Sequence, residues 1–140
     1  MTKVDDPNRG PLMILVAGPA RGGTGDEPQA IARNIDDMTR AGLDLFERGH
    51  LPVVGEWLSM PLIAAAGSTH VGDEIYDRIQ HPLAEAILVR CDGCLRIGGE
   101  SAGADHMVAT ARALGKAVWF SIDDVPSRVT GRLDTPRRTS

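Results

Sequence analysis

Residues able to do chemistry are concentrated in one segment of the sequence, residues 94–118 (CLRIGGESAGADHMVATARALGKAV). The pattern predicts a short apolar strand, a glycine-rich loop, a helix, a glycine stop and another strand. A loop that follows a strand and opens a helix exposes free backbone N–H groups at the positive end of the helix dipole. Glu100, Ser101, Asp105 and His106 fall at that junction, where α/β proteins usually bind ligands. We predict a functional site here, although the dipole also favours a carboxylate at Asp105 without any function.

The loop after the first predicted strand, residues 18–25 (GPARGGTG), is a second candidate for a binding site. It has neither the lysine of a Walker motif nor the glycine spacing of a dinucleotide fingerprint. Gly18, Gly22 and Gly23 still allow the backbone to approach a ligand closely. Arg21 can pair with a phosphate or a carboxylate through two parallel hydrogen bonds. The alternative is a plain turn with a surface arginine.

A third loop begins with Gly55, Glu56 and Trp57, after the second predicted strand. At a strand end, the carboxylate of Glu56 can hydrogen-bond a sugar and the ring of Trp57 can stack on a base. The alternative is a tryptophan that closes the core beside a glutamate exposed to solvent. The sequence leaves both interpretations open.

Cys91 and Cys94 have the spacing of a redox or zinc pair. A thioredoxin-type pair lies at a helix N-terminus after a strand, whereas this pair precedes or enters a strand. A structural zinc needs four ligands, and the sequence has no second cysteine pair and no metal-like histidine spacing. We therefore predict two buried cysteines that flank an Asp-Gly turn, with no metal site.

Apolar runs and helical periodicity predict strands that alternate with helices. The predicted strands are residues 12–17, Leu51–Val54, 95–97 and 117–121. The predicted helices run from an N-cap at Asp26 to Gly49, within residues 56–69, over residues 71–89 and over residues 104–114. The first helix should bury Ile31, Ile35, Met38, Gly42 and Leu45, and the third Ile75, Ile79, Leu83 and Ile87. Pro82 should kink or split the third helix.

This alternation implies crossover connections and a mostly parallel sheet covered on both faces. We predict an α/β fold, a single-domain Rossmann- or flavodoxin-like three-layer sandwich with four or five strands. The domain would comprise residues 12–125, after a disordered or extended N-terminus (1–11) and before a disordered basic tail (126–140). A chain of 140 residues that is 42% hydrophobic suits one domain with a sizeable core.

The composition argues against two classes of partner. The net charge of −4 gives no reason to expect nucleic-acid binding, and the apolar runs are too short to span a bilayer. The first residues lack the pattern of a secretory signal, and two cysteines fit a reducing compartment. We therefore expect a cytoplasmic protein that binds neither nucleic acid nor membrane.

Two motifs, VAGPARGG near the start and GGESAGADHMVATARALGKAV in the second half, resemble the nucleoside 2-deoxyribosyltransferase-like superfamily. This superfamily includes nucleoside deoxyribosyltransferases and nucleoside 5′-monophosphate N-glycosidases. The resemblance extends over residues 12–123, and its specific motifs lie at the two ends of that range. It implies the same α/β fold, a nucleoside or nucleotide ligand, no cofactor, and a homodimer or larger homo-oligomer.

The resemblance also implies roles for individual residues. In the family, a glutamate on the helix after the glycine-rich loop attacks the anomeric carbon of the sugar, and matching glycine to glycine places Asp105 there. A carboxylate can trap an oxocarbenium-like centre as a glycosyl ester. Glu100 and Glu85 are the candidate acid/base partners. The candidate substrate contacts, from the resemblance and the three loops, are Gly18, Arg21, Gly22, Gly23, Glu56, Trp57, Gly99, Ser101 and Gly103.

The predicted function is N-glycosidase or deoxyribosyl-transfer chemistry on a nucleoside or nucleoside 5′-monophosphate. One alternative is a non-catalytic nucleotide-binding or nucleotide-sensing module of the same fold. Another is a phosphoribohydrolase-type Rossmann-like protein. The PGGxGT-type signature of that group is matched only in its first part, by residues 98–101.

Overall fold

The computed structural model describes residues 3–128. Within them, four parallel strands form one sheet in the order β2-β1-β3-β4. The strands are β1 (Met13–Ala17), β2 (Leu51–Val54), β3 (Gly93–Arg96) and β4 (Ala117–Trp119). The helices are α1 (Pro28–Glu47), α2 (Gly55–Ala65), α3 (Glu74–Arg90) and α4 (Ala102–Ala113), and Lys3–Asp5 and Ile122–Asp124 form single 3₁₀ turns. The predicted three-layer α/β fold of flavodoxin type is confirmed.

The central strand β1 is apolar throughout because both faces of the sheet are covered. Successive side chains of a strand point to opposite faces. Ile14 and Val16 pack in the layer that contains α1, whereas Leu15 and Ala17 pack in the layer that contains α3 and α4. The continuous apolar run is therefore the pattern of a strand buried on both sides.

Helix α1 begins one residue later than predicted. Its N-cap is Glu27, whose carboxylate accepts hydrogen bonds from two backbone N–H groups of the first turn at 3.0 and 2.8 Å. Asp26, the predicted cap, instead adopts a φ of 60° and binds Arg21. The predicted buried face is confirmed for Ile31, Met38, Gly42 and Leu45, and Ile35 is half-buried.

Helix α3 is rotated by one residue from the predicted face. Its buried residues are Tyr76, Gln80, Ala84, Ile87 and Leu88. The prediction is confirmed for Ile87, whereas Ile75, Ile79 and Leu83, which we also predicted as buried, are half-buried. Because successive residues of a helix are about 100° apart, a shift of one position brings a different set of side chains to the sheet.

The start of α3 is fixed by Asp73, and Pro82 does not split the helix. The Asp73 carboxylate accepts from the backbone N–H of Tyr76 at 2.9 Å. Backbone hydrogen bonds, that from Tyr76 foremost, lower the pKa of Asp73 to about 2. The helix continues through Pro82 from Glu74 to Arg90, so one rigid element presents Tyr76 and Gln80 together.

The two ends of the described chain close the amino-terminal edge of the sheet. Buried His50 accepts from the backbone N–H of Leu12 at 3.0 Å through Nδ1, and its Nε2 meets the carbonyl of Pro126. Arg128 donates to the carbonyls of Val4 and Gly10. Polar groups at this edge thus bind one another.

The structure describes only part of the predicted N-terminal segment and of the predicted tail. Residues 129–140 of the predicted basic tail lie outside the described residues. The N-terminal segment, predicted as disordered or extended, contains the 3₁₀ turn Lys3–Asp5. No helix of the described residues is long and apolar enough to cross a membrane.

Candidate functional site

A cavity of about 490 Å³ lies at the carboxyl ends of β1 and β2. Its wall is formed by the end of β1, the loop that follows it, the starts of α2 and α4, and one face of α3. Open α/β sheets bind ligands outside the carboxyl ends of strands, where the strand order reverses. Here β1 separates β2 from β3, so the cavity lies beside that reversal. Its polar lining residues are Arg21, Asp26, Glu56, Tyr76, Gln80, His81 and Ser101.

Glu56 is the half-buried carboxylate of the cavity wall, in the first turn of α2. Its Oε2 accepts a hydrogen bond from Nε2 of Gln80 at 2.9 Å. The hydroxyl of buried Ser59 donates to the other end of the same amide, Oε1 of Gln80. The direction of the first bond follows from the second, because an amide whose oxygen faces Ser59 must turn its N–H groups toward Glu56.

Burial raises the pKa of Glu56, and hydrogen bonds from its own backbone N–H and from Gln80, together with the charge of His81, oppose that rise. No cationic side chain of residues 3–128 lies within 4.0 Å of its carboxylate. Glu56 is therefore held by neutral donors in a partly desolvated wall. A carboxyl group in such surroundings can exchange a proton closer to neutral pH than an exposed one.

Arg21 lines the cavity and connects the loop after β1 with α3. Its Nε and Nη2 donate to the two carboxylate oxygens of Asp26 at 2.9 and 3.0 Å, and its guanidinium lies 5.3 Å from the centre of the Tyr76 ring. Its Nη1 lies 4.0 Å from Oδ1 of Asp77. The hydrogen bonds with Asp26 raise the pKa of Arg21 and lower that of Asp26.

The start of α4 forms another part of the wall. Ser101 is its N-cap, and the Ser101 hydroxyl oxygen accepts from the backbone N–H of Ala104 at 3.1 Å. Ser101, Gly103 and Met107 line the cavity, and Asp105 does not. Since residues two apart on a helix differ by about 200° in direction, the face that carries Gly103 and Met107 turns Asp105 away.

Asp105 lines a separate groove of about 390 Å³ beside the end of β3, with Glu100. Its Oδ1 lies 3.1 Å from Nη2 and 3.2 Å from Nε of Arg96. The Arg96 side chain is only 9% exposed, and it also donates to the carbonyls of Ile97 and Gly99. Arg96 therefore holds the loop after β3, and Asp105 neutralises its charge.

The structure brings most of the predicted substrate contacts together. Gly18, Arg21, Gly22, Glu56, Ser101 and Gly103 all line the cavity. Gly99, Glu100 and Asp105 lie in the groove instead. The catalytic role of Asp105 stays a prediction, and its carboxylate is on the other side of α4 from the cavity.

The remaining predicted residues lie elsewhere. Glu85 is on α3, with Oε2 3.9 Å from Nε2 of His106 on α4. Trp57 faces α1, where its Nε1 donates to Thr39 at 2.9 Å. Gly23, with a φ of 73°, is in the exposed turn before α1. None of the three is among the cavity-lining residues.

Sequence reasoning missed Asp26, Tyr76, Gln80, His81 and Met107 as cavity residues. One signal for Gln80 was present, because it is polar and lies at four-residue spacing between Tyr76 and Ala84, on the same helix face. A polar side chain on a buried face needs a partner, and here the partners are Glu56 and Ser59. No comparable signal was present for the pairing of Asp26 with Arg21.

The prediction of two buried cysteines is confirmed, since Cys91 and Cys94 are both buried and unpaired. Burial raises the pKa of Cys91 to about 11 and that of Cys94 to about 12. Neither thiol is ionised near neutral pH. Within residues 3–128, no group of three or more His, Cys, Asp or Glu side chains could hold a metal ion.

Comparison of the sequence with protein-family models and with curated proteins gives no match. The fold does match solved structures, among them the 2-deoxyribosyltransferase of the psychrotolerant bacterium Bacillus psychrosaccharolyticus, a biocatalyst for the synthesis of antiviral and antitumoral nucleosides. The TM-score is 0.55 over 76% of this chain and 69% of that one, at 16% sequence identity. The chain therefore has a nucleoside deoxyribosyltransferase-like fold.

Proposed function

We propose that the cavity binds a nucleoside or nucleoside 5′-monophosphate and that the protein cleaves its N-glycosidic bond, by hydrolysis or by deoxyribosyl transfer. The observation that carries this proposal is the placement of Glu56 in the wall of a 490 Å³ cavity at the carboxyl ends of the strands. The fold shared with a 2-deoxyribosyltransferase supports a nucleoside or nucleotide as the ligand. The expected homo-oligomer and cytoplasmic location stay predictions.

In this proposal Glu56 is the nucleophile, the role that the family resemblance implied for Asp105. In the proposed reaction, a carboxylate oxygen of Glu56 forms a bond to the anomeric carbon while the bond from that carbon to the base nitrogen breaks. The base leaves with the electron pair of the broken bond and takes a proton from water. Water, or a second base in a transfer, then displaces Glu56 from the glycosyl ester and regenerates the carboxylate.

The Gln80 hydrogen bond supports this role on physical grounds. It fixes the rotamer of Glu56 and stabilises the ionised form against the cost of burial. A positioned carboxylate loses little conformational entropy when it meets the sugar. Neutral donors also leave its charge available, whereas a cation partner would neutralise it.

The test measures release of free base from a panel of nucleosides and their 5′-monophosphates. We expect Glu56→Gln to reduce the rate to the uncatalysed background, because an amide cannot form the glycosyl ester. Asp105→Asn and Glu85→Gln are the matched controls, and both should keep rates close to wild type. Loss of activity in Asp105→Asn with normal activity in Glu56→Gln would return the reaction to Asp105.

A second candidate function is nucleoside or nucleotide binding without cleavage. None of the α4 residues that line the cavity carries a carboxylate, since they are Ala102, Gly103, Ala104 and Met107, which favours this alternative. Thermal stabilisation by a nucleoside with no base release from any substrate would support it. Base release that depends on Glu56 would exclude it.

A further inference from the structure

The charges around the cavity are already balanced before any ligand enters. Arg21 is the one Lys or Arg side chain that lines it among the described residues. Both carboxylate oxygens of Asp26 bind that guanidinium, and Glu56 adds a second carboxylate to the wall. A ligand therefore meets more negative than positive charge.

The pairing of Arg21 with Asp26 is built into the turn. Thr24 binds the Arg21 carbonyl through its backbone N–H at 3.1 Å and through its hydroxyl. The Thr24 hydroxyl oxygen in turn accepts from the backbone N–H of Asp26 at 3.1 Å. Asp26 has a φ of 60°, a conformation that residues other than glycine adopt uncommonly and that Asp and Asn tolerate best. The turn thus holds the carboxylate opposite the guanidinium.

The start of α4 acts against this excess of negative charge. Its dipole is equivalent to about half a positive charge at the helix N-terminus, which favours an anion there. Its N-cap hydroxyl, on Ser101, already accepts from Ala104. Tyr76 and His81 add polar groups without a fixed positive charge. These groups are too weak to offset two carboxylates, so a doubly charged phosphate would have to displace Asp26 from Arg21.

We infer that the ligand is an uncharged nucleoside rather than a nucleoside 5′-monophosphate, and that Asp26 determines this preference by occupying Arg21. The inference rests on the proposed function, because it takes the ligand to be a nucleoside or nucleotide. It differs from the interpretation in which Arg21 binds phosphate. A nucleoside can use the neutral donors and acceptors of Gln80, Tyr76 and Ser101 and leaves the ion pair intact.

The test measures dissociation constants of nucleosides and of the matching 5′-monophosphates by calorimetry, at fixed ionic strength, with inorganic phosphate as a further probe. Wild type should bind the nucleoside more tightly. Asp26→Asn frees Arg21 without changing side-chain size, so monophosphate affinity relative to nucleoside affinity should rise about tenfold or more. Asp26→Gly is a second variant that suits the positive φ.

Asp77→Asn is the matched control, because it removes the same charge near Arg21 without freeing the hydrogen bonds that Asp26 holds. It should shift the preference much less. A wild-type preference for the monophosphate, or equal shifts in the Asp26 and Asp77 variants, would overturn the inference and leave the proposed function standing. Failure of wild type and every variant to bind any nucleoside or monophosphate would contradict both.

Discussion

Two regions at the carboxyl edge of the sheet each pair an arginine with an aspartate, and they differ in whether the arginine is buried. In the groove, Arg96 is buried and Asp105 is 68% exposed. In the cavity, Arg21 and Asp26 are both partly exposed, with 40% and 43% of their side chains accessible. The cavity also contains Glu56, a half-buried carboxylate whose hydrogen-bond partner is Gln80 rather than a cation.

The polar groups of the groove hold the chain in place, whereas those of the cavity are available to a ligand. Arg96 donates hydrogen bonds to the loop after β3 and to Asp105, so the polar groups of the groove stabilise the fold. The cavity instead combines a desolvated carboxylate with space for a small molecule. A perturbed carboxyl group in a cavity is the stronger indication of function.

The largest effect on stability is expected from the support of Glu56. Gln80→Leu leaves the Ser59 hydroxyl and the Glu56 carboxylate without their buried partner, which costs about 1–3 kcal/mol in the free energy of unfolding. Gln29→Leu is the matched control, because Gln29 is exposed on α1, and it should change stability by about 0.5 kcal/mol or less. Urea denaturation of both variants measures the difference. Equal effects in the two variants would mean that the hydrogen bonds of Gln80 with Ser59 and Glu56 contribute nothing to the free energy of unfolding.

Most of the fold could be predicted because β1 and α1 carry strong local patterns. A continuous apolar run identifies a strand buried on both faces, and four-three spacing identifies the buried face of α1. The face of α3 was wrong by one residue. Ile75 and Ile79 are more apolar than Gln80, and periodicity alone cannot foresee that Ser59 and Glu56 satisfy a buried amide.

The site was harder to predict than the fold because small errors in helix phase decide which side chains meet. Asp105 was assigned by matching glycines along the chain, yet two positions on α4 reverse the direction of a side chain. Asp26 was assigned as an N-cap from its type and place. Its contact with Arg21 depends on the positive φ, and no composition rule specifies where an aspartate will adopt one.

A smaller effect is expected in the groove. Asp105→Asn removes the charge that compensates Arg96 and also a first-turn acid of α4. Because Asp105 is mostly exposed, solvent screens the pair, and the loss should be about 0.5–1 kcal/mol. Thermal unfolding at low and high salt measures it, with exposed Asp37→Asn on α1 as control. A loss that does not shrink at high salt would contradict an electrostatic cause.

The smallest expected effect on stability is that of Glu56→Gln, and its sign is opposite to that of Asp105→Asn. Burial raises the pKa of Glu56 above its ordinary 4.5, so its carboxyl group contributes stability that is fully present below the unfolded pKa and lost as pH rises through the folded one. Glu56→Gln cannot ionise and escapes that loss. Its melting temperature should therefore rise relative to wild type as pH increases from 4 through the folded pKa.

At pH 7 the same change from carboxylate to amide should thus raise stability in the cavity and lower it in the groove. Melting curves of wild type, Glu56→Gln and Asp105→Asn across the pH range provide the measurement. A Glu56→Gln protein that is less stable than wild type at neutral pH would mean that Gln80 and the backbone N–H overcome the cost of burial. Glu56 would then be a structural group like Asp105, because a residue kept for function at the expense of stability should gain stability when that function is removed.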